Sequence, residues 1–278
     1  MTDGALVDPA TGASNPALPS AGASQIVLRG VTKRYRTSGG SQEALAAVDL
    51  EIPRGQFISL LGPSGCGKTT LLKMIGGLIE TSSGELHIDG GSVTDALRRR
   101  AFGFVFQDAT LLPWKNVIDN ASLLTDVARV SGARERLPGL LRMVGLEGFA
   151  DFYPWQLSGG MRQRVSLARA LALEPAILLM DEPFAALDAL TRDRMGEELL
   201  KILDGTRTVV FVTHSVPEAV LLSDRVVVMS PGPGRVVADV RIDLPRPRRE
   251  DVRRSPAFSE YEYQLRSLIQ APPGVGDG

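Results

Sequence analysis

The sequence predicts an α/β protein built on a mainly parallel sheet, and three observations carry this. Apolar, strand-like runs recur at AILLMD (176–181), TVVFVT (208–213) and RVVVMS (225–230), with helical spacing between them. Strands that alternate with helices pair in parallel and are covered by those helices. Hydrophobic residues make up 44% of 278 residues, enough for a large core and too many for a disordered chain. A glycine-rich loop, GPSGCGKTT, stands between the apolar run FISLL and a helical segment, KTTLLKMIGGL.

The elements follow in order. Residues 1–24 are mostly Ala, Gly, Ser and Pro, with no aromatic residue and no Lys or Arg. Such a segment cannot offset its ordering entropy, and a disordered tail is expected there. QIVLRGVTKRY, from Gln25, alternates apolar and polar residues as a strand does. AVDLEIP continues as a second strand, turns at Pro53-Arg54-Gly55, and leads into FISLL. Residues 108–164 carry helical patterns broken by Pro113, Gly132, Pro138, Gly145 and Pro154, which reads as a small helical insertion. The three strands named above follow, up to about residue 242. A Pro/Arg-rich stretch, LPRPRREDVRR, and a helical segment, SEYEYQLRSLI, form a C-terminal extension over 243–278, with GVGDG expected to fray.

Composition excludes several classes. Lys and Arg number 31 against 32 Asp and Glu, a net charge of −1, which argues against a dedicated nucleic-acid binder. The single cysteine, Cys66, excludes an internal disulfide framework. No apolar run approaches the roughly 18 residues of a membrane span. The N-terminus has neither a basic start nor an apolar stretch of the secretory type. A soluble intracellular protein is expected.

The loop at 62–70 fits G-x-x-x-x-G-K-[ST] between a strand and a helix, the context this pattern requires. Gly62, Gly65 and Gly67 allow a tight backbone whose N–H groups point at phosphate oxygens, and the helix N-terminus adds partial positive charge. Lys68 is expected to reach the β- and γ-phosphates, and the Thr69 hydroxyl to ligate magnesium. Pro63, Ser64, Cys66 and Thr70 complete the candidate nucleotide-binding set, with Cys66 a small loop side chain lacking chemistry of its own.

PAILLMDE ends an apolar strand in two acids. Adjacent strand residues face opposite ways, so Asp181 and Glu182 cannot share one task while the strand continues. Asp181 suits the second magnesium anchor, leaving Glu182 to hold the attacking water. His214 closes TVVFVTHS beside these strand ends, at the edge where α/β sheets bind ligands. A γ-phosphate contact is expected of it, whereas His87, in GELHIDG, reads as a surface residue.

In WQLSGGMRQRVSLARALA (155–172), Ser158, Gly159 and Gly160 open a helix and so form a second anion-binding helix N-terminus. One triphosphate is already cradled by the Lys68 loop. The second helix end makes most sense if it serves another chain's nucleotide.

Tyr35, the 62–70 loop, Gln107, LSGGMRQR, ILLMDEP and His214 occur in one order, and together they closely resemble the ATP-binding cassette family over residues 25–242. The resemblance implies a RecA-like P-loop NTPase core with a mainly parallel sheet, an antiparallel β subdomain and an inserted helical subdomain. It implies ATP and Mg2+ as ligands, and a head-to-tail dimer, either a homodimer or a pair with another cassette. Tyr35 would stack on adenine. Gln107, ending the strand FGFVFQ, would join the nucleotide site to the helical insertion, as a catalytic and magnesium-linked residue. Ser158 and Gly160 would contact the γ-phosphate held by the partner, and Asp188 would lie across the dimer seam. Glu182 would polarise the water, and His214 would hold water and γ-phosphate in place.

With a lone cassette and no membrane span, the chain looks like a bacterial importer ATPase, peripheral on the cytoplasmic face of the plasma membrane. It would dock on transmembrane permease subunits in a system with an extracytoplasmic solute-binding protein. QDATLLPWKNVIDN, FAALDALTRDRM, SDRVVVMSPGPGRV and RIDLPRPR are similar to the nitrate/sulfonate/taurine/bicarbonate importer group. Two alternatives stay open: a soluble non-transport cassette ATPase, and the ATPase of an exporter complex. Leu112, Pro113 and Trp114 lie where the family's permease docks, or they are core of the helical insertion. Ala185, Ser215 and Pro217 depart from common family residues and leave His214 in place. The extension is too short for a C-terminal sensor domain. Arg98-Arg99-Arg100 and Arg246–Arg254 read most simply as solvated charge, with a membrane-surface or permease contact as the alternative.

Overall fold

The computed structural model describes residues 24–270, apart from 38, 39, 186, 204 and 249. The expected tail, bar Ser24, and the GVGDG end lie outside the described residues. Ten strands and nine α-helices are described: β1 (Ser24–Thr37), β2 (Gly40–Pro53), β3 (Phe57–Leu61), α1 (Lys68–Ile75), β4 (Ser83–Ile88), β5 (Gly91–Ser92), α2 (Val93–Arg98), β6 (Phe102–Val105), α3 (Val117–Val127), α4 (Ala133–Met143), α5 (Gly159–Leu171), β7 (Ile177–Asp181), α6 (Ala189–Ile202), β8 (Thr208–Thr213), α7 (Val216–Leu222), β9 (Arg225–Met229), β10 (Val236–Arg241), α8 (Glu250–Arg253) and α9 (Pro256–Gln270).

The strands form two sheets. One is four-stranded, in the order β2-β1-β4-β5, and antiparallel throughout. The other is six-stranded, in the order β10-β9-β3-β8-β7-β6. Its strands are parallel except β10, which runs against β9. β3, β7 and β8 are buried along their whole length. Alternation sends Phe57, Leu61, Leu178, Met180, Val209 and Phe211 to one face, against the helices α3, α4, α5, α7 and α9. It sends Ile58, Leu60, Ile177, Leu179, Val210 and Val212 to the other face, against α1 and the antiparallel sheet. Covering both faces is why these strands read as continuous apolar runs.

Two expectations need correction. Pro138 does not break a helix but lies inside α4. Its ring is exposed while Leu137 and Leu141 are buried, so core packing outweighs one lost backbone bond on the solvent side. The helix expected to open at Ser158–Gly160 runs from Gly159 to Leu171. The strand FGFVFQ ends at Val105, two residues before Gln107, because β6 stands at the edge of the sheet, with β7 its one neighbour among the described residues, and the pairing stops at Val105–Met180.

The C-terminal arginines are not simply solvated. Arg248 is 3% exposed, and burial pushes its guanidinium down to about 10. It donates to the carbonyls of Val220, Leu221, Ser223, Ile242 and Leu244. Arg246 pairs with Asp224 at 2.5 Å and Arg253 with Asp193 at 2.6 Å. Arg249 lies outside the described residues. Arg98, Arg99 and Arg100 are exposed, as expected.

Candidate nucleotide site

Three strand ends converge at the carboxyl edge of the parallel sheet. Leu61 of β3 stands in register with Thr213 of β8, and Asp181 of β7 with Val212 of β8. The glycine loop, Glu182 and His214 leave the sheet from these ends, which is where ligands of open α/β sheets bind.

The loop turns into α1 at Gly67, whose φ of 93° is left-handed. A Cβ there would also lie 2.6 Å from Leu45 Cδ2, so β2 packs directly on the loop. Lys68 is buried, and its Nζ donates to the carbonyls of Gly62 at 2.8 Å and Pro63 at 2.9 Å. Gly65 also has positive φ, Cys66 is fully buried, and Ser64 is exposed. Thr70 follows Thr69 in the first turn of α1.

The Thr69 hydroxyl donates to Asp181 Oδ1 at 2.7 Å, joining the two residues expected to share a cation. Burial raises the Asp181 carboxyl above its ordinary range, and the Thr69 hydroxyl bond, Lys73 and Lys68 oppose the rise. Beyond Asp181 the chain bends. Glu182 has a φ of 43°, while its N–H still donates to the Val212 carbonyl at 3.0 Å. A left-handed conformation at a non-glycine residue costs about 1–3 kcal/mol and persists only where surroundings impose it. Here the bend takes Glu182 out of strand alternation, and its Oε2 meets His214 Nδ1 at 3.0 Å.

The remaining candidates sit around this centre. Ser158 caps α5, accepting the Met161 N–H at 3.3 Å, with Gly159 and Gly160 in the first turn. Asp188 caps α6, accepting the Thr191 N–H at 3.0 Å. A Cβ at Gly160 would lie 3.3 Å from Leu187, so the turn at 158–160 packs against the loop carrying Asp188. Tyr35 lies on the antiparallel sheet opposite Gln42, partly exposed, with Lys33 Nζ 5.2 Å from its ring centroid. Gln107 is exposed. Its segment is fastened to α5 on both sides: Gln163 Nε2 donates to the Phe106 carbonyl at 2.9 Å, and Arg169 donates to the carbonyls of Ala109 and Thr110. Trp114 is 70% exposed, which removes the alternative that it is core. His87 is partly exposed beside Glu85.

Sequence reasoning missed several supporting residues. Gly234, in SPGPGRV, abuts the loop so closely that a Cβ would lie 2.0 Å from the Cys66 carbonyl oxygen. Its N–H donates to the Ala44 carbonyl, and its carbonyl accepts the Ala46 N–H. The paired glycines of that segment were the available signal. Glu218, Arg192 and Gln163 were also missed, and only the fold brings their partners near.

Residues 45–185 match the ABC transporter family. The chain is 48% identical over 242 residues to the taurine import ATP-binding protein TauB of Rhizobium johnstonii, covering 84% of this chain and 91% of that protein. It is 44% identical over 252 residues to the bicarbonate transport ATP-binding protein CmpC of Synechococcus elongatus, covering 88% of this chain and 37% of that longer protein. Among solved structures, the dimeric post-hydrolysis state of the ATP-binding cassette MJ0796 bound to ADP and Pi superposes with a TM-score of 0.70. It is 37% identical to this chain and covers 78% of it and 98% of that cassette. A family match across half the chain, with identity close to one half to TauB, a relative of similar length, makes this protein a member of the ABC transporter family.

Proposed function

We propose that the protein is the ATP-hydrolysing subunit of an importer for a small anion or small organic solute of the taurine, sulfonate, nitrate or bicarbonate kind. The observation that carries hydrolysis is the meeting at one sheet edge of the Thr69–Asp181 bond and the Glu182–His214 contact. The names of TauB and CmpC support the importer branch.

Phosphoryl transfer asks a protein for position and electrostatics. The loop N–H groups and Lys68 bind the phosphates. The Thr69 hydroxyl and the Asp181 carboxylate are hard oxygen donors, which fits magnesium, an ion that completes its shell with phosphates and water. Bound there, magnesium would neutralise charge on the transferring phosphoryl group. Glu182 accepts a proton from the attacking water, and His214, held against Glu182, keeps water and γ-phosphate aligned. Tyr35 offers a ring for adenine, and Gln107 reports on the site through α5. Ser158 and Gly160 bind the γ-phosphate of a nucleotide held by a second cassette, with Asp188 at the seam. The dimer that buries two nucleotides closes on binding and opens on hydrolysis.

Among the described residues no helix is long and apolar enough to cross a membrane. The importer reading calls for transmembrane permease subunits, with the protein peripheral on their cytoplasmic side and a solute-binding protein outside. The exposed Trp114 and Pro113 offer these permeases a contact. Glu182→Gln should abolish Mg-ATP turnover and trap an ATP-bound dimer on size exclusion. A variant that hydrolyses ATP at near the parent rate would remove the base assignment. Deleting the gene and testing growth on nitrate, taurine or alkanesulfonates would identify the solute class.

A further inference from the structure

Between the Asp188 loop and His214 runs a set of polar contacts that the hydrolytic reading does not use. Arg192, in the first turns of α6, donates from Nη2 to the Leu187 carbonyl at 3.0 Å, next to Asp188. Its Nε lies 3.4 Å from Glu218 Oε1 on α7. Glu218 Oε2 accepts the Thr213 hydroxyl at 2.6 Å, and Thr213 Oγ1 in turn accepts the Ser215 N–H at 2.9 Å. Thr213 and Ser215 flank His214, so both backbone neighbours of the histidine are held by this network. At its other end, Leu187 packs on Gly160 of the turn expected to meet the partner's nucleotide.

The network is built at some cost. Glu218 is largely buried, and burial pushes its carboxyl above the ordinary range, against the pull of Thr213 and Arg192. Removing one partner of such a pair is costly, because it leaves an uncompensated charge. What this pair fixes is the placement of one loop and one histidine belonging to different elements, α6 and the β8–α7 junction.

We propose that Arg192 and Glu218 are a positioning pair, which transmits the arrangement of the Asp188 loop to His214 and so makes hydrolysis depend on engagement of the second cassette. The inference rests on the ATPase reading above. Neither residue touches substrate: Arg192 acts through the Leu187 carbonyl, and Glu218 through Thr213 and Ser215.

The test is a double-mutant cycle on the full chain with Mg-ATP, using Arg192→Met, Glu218→Gln and the double variant, with kcat, KM and melting temperature measured for each. Glu218→Gln is isosteric, and its amide oxygen still accepts the Thr213 hydroxyl, so it removes the charge pair and leaves the fold. Each single variant should lower kcat about tenfold while KM for ATP moves less than about threefold, and the double variant should be no slower than the worse single. Arg192→Lys, which keeps the charge but cannot serve both Leu187 and Glu218, should fall between parent and Arg192→Met. Glu218→Gln turning over within about twofold of the parent, or losses that multiply in the double variant, would overturn the coupling. Should Arg192→Met fail to fold, Glu218→Gln and Arg192→Lys decide alone. Parent and Glu182→Gln are run alongside: a parent without turnover refutes the ATPase reading itself, whereas an active parent, a dead Glu182→Gln and a normal Glu218→Gln refute only the pair.

Discussion

Replacing Arg248 by methionine tests what holds the C-terminal extension against the catalytic core. The guanidinium is buried and donates to five carbonyls, three of them at 3.0 Å or closer: Val220 and Ser223 at the end of α7, and Ile242 beyond β10. Removing it leaves at least these three acceptors buried, at about 1–3 kcal/mol each. The charge itself is unfavourable where it sits. Its displacement from above 12 to about 10 corresponds to about 3 kcal/mol that methionine would recover. With three acceptors at mid-range, the acceptor cost exceeds that recovery by about 3 kcal/mol. For a chain of this size the melting temperature should fall by about 6–12 °C. Differential scanning calorimetry reads this directly, and amide exchange should quicken in the last turn of α7, where the carbonyls have lost their partner. An unchanged or raised melting temperature would refute the reasoning, because it would mean that the carbonyls find other donors and that the arginine is only a burden.

Two further substitutions follow from the site. Asp181→Asn should raise the melting temperature at neutral pH in EDTA while cutting Mg-dependent hydrolysis by about 100-fold or more. Its carboxyl is raised in the folded state, so ionisation costs stability; that cost is absent below the ordinary carboxylate pKa of about 4 and complete above the folded value. The gap between variant and parent should therefore close on acidification, and a variant less stable than the parent at pH 7 would contradict the sign. Gly234→Ala places a methyl 2.0 Å from the Cys66 carbonyl oxygen, a backbone atom that can yield only by moving the phosphate loop. At about 1–3 kcal/mol for such overpacking, affinity for a fluorescent ATP analogue should drop about 5- to 150-fold, and unchanged affinity would show that the 230–234 segment does not support the loop.

How much of this was legible in the sequence depends on how local each signal was. β3, β7 and β8 declared themselves because burial on both faces leaves mostly apolar positions in a strand, and the glycine loop because its spacing needs a strand before it and a helix after. Asp181 and Glu182 were separable by alternation, and the structure separates them more sharply, through the positive φ at Glu182. Arg248 was misread because a Pro/Arg-rich stretch looks solvated. Its burial depends on carbonyls from α7 and from the segment after β10, which no local pattern brings together. Gln107 was placed at a strand end because FGFVFQ stays apolar beyond Val105, but the pairing of β6 with β7 stops at Val105–Met180. Arg192 and Glu218 lie 26 residues apart and carry no motif of their own.

The same geometry explains why chemistry collects at this edge. The parallel strands are buried on both faces, so their side chains cannot move without disturbing one of two cores. The candidate residues at and just past the strand ends meet a ligand there, and those past the ends are fixed from behind: Lys68 by a loop packed on Leu45 and Gly234, Glu182 by the Val212 carbonyl, and His214 by Thr213, Ser215 and Glu218. Positional catalysis needs this rigidity within one cassette. In the proposed coupling, regulation by a second cassette enters through the Asp188 loop, joined to His214 by Arg192 and the largely buried Glu218. On that proposal, a histidine braced through another loop would tie ATP turnover to assembly, which an isolated Glu–His pair on a strand end could not do.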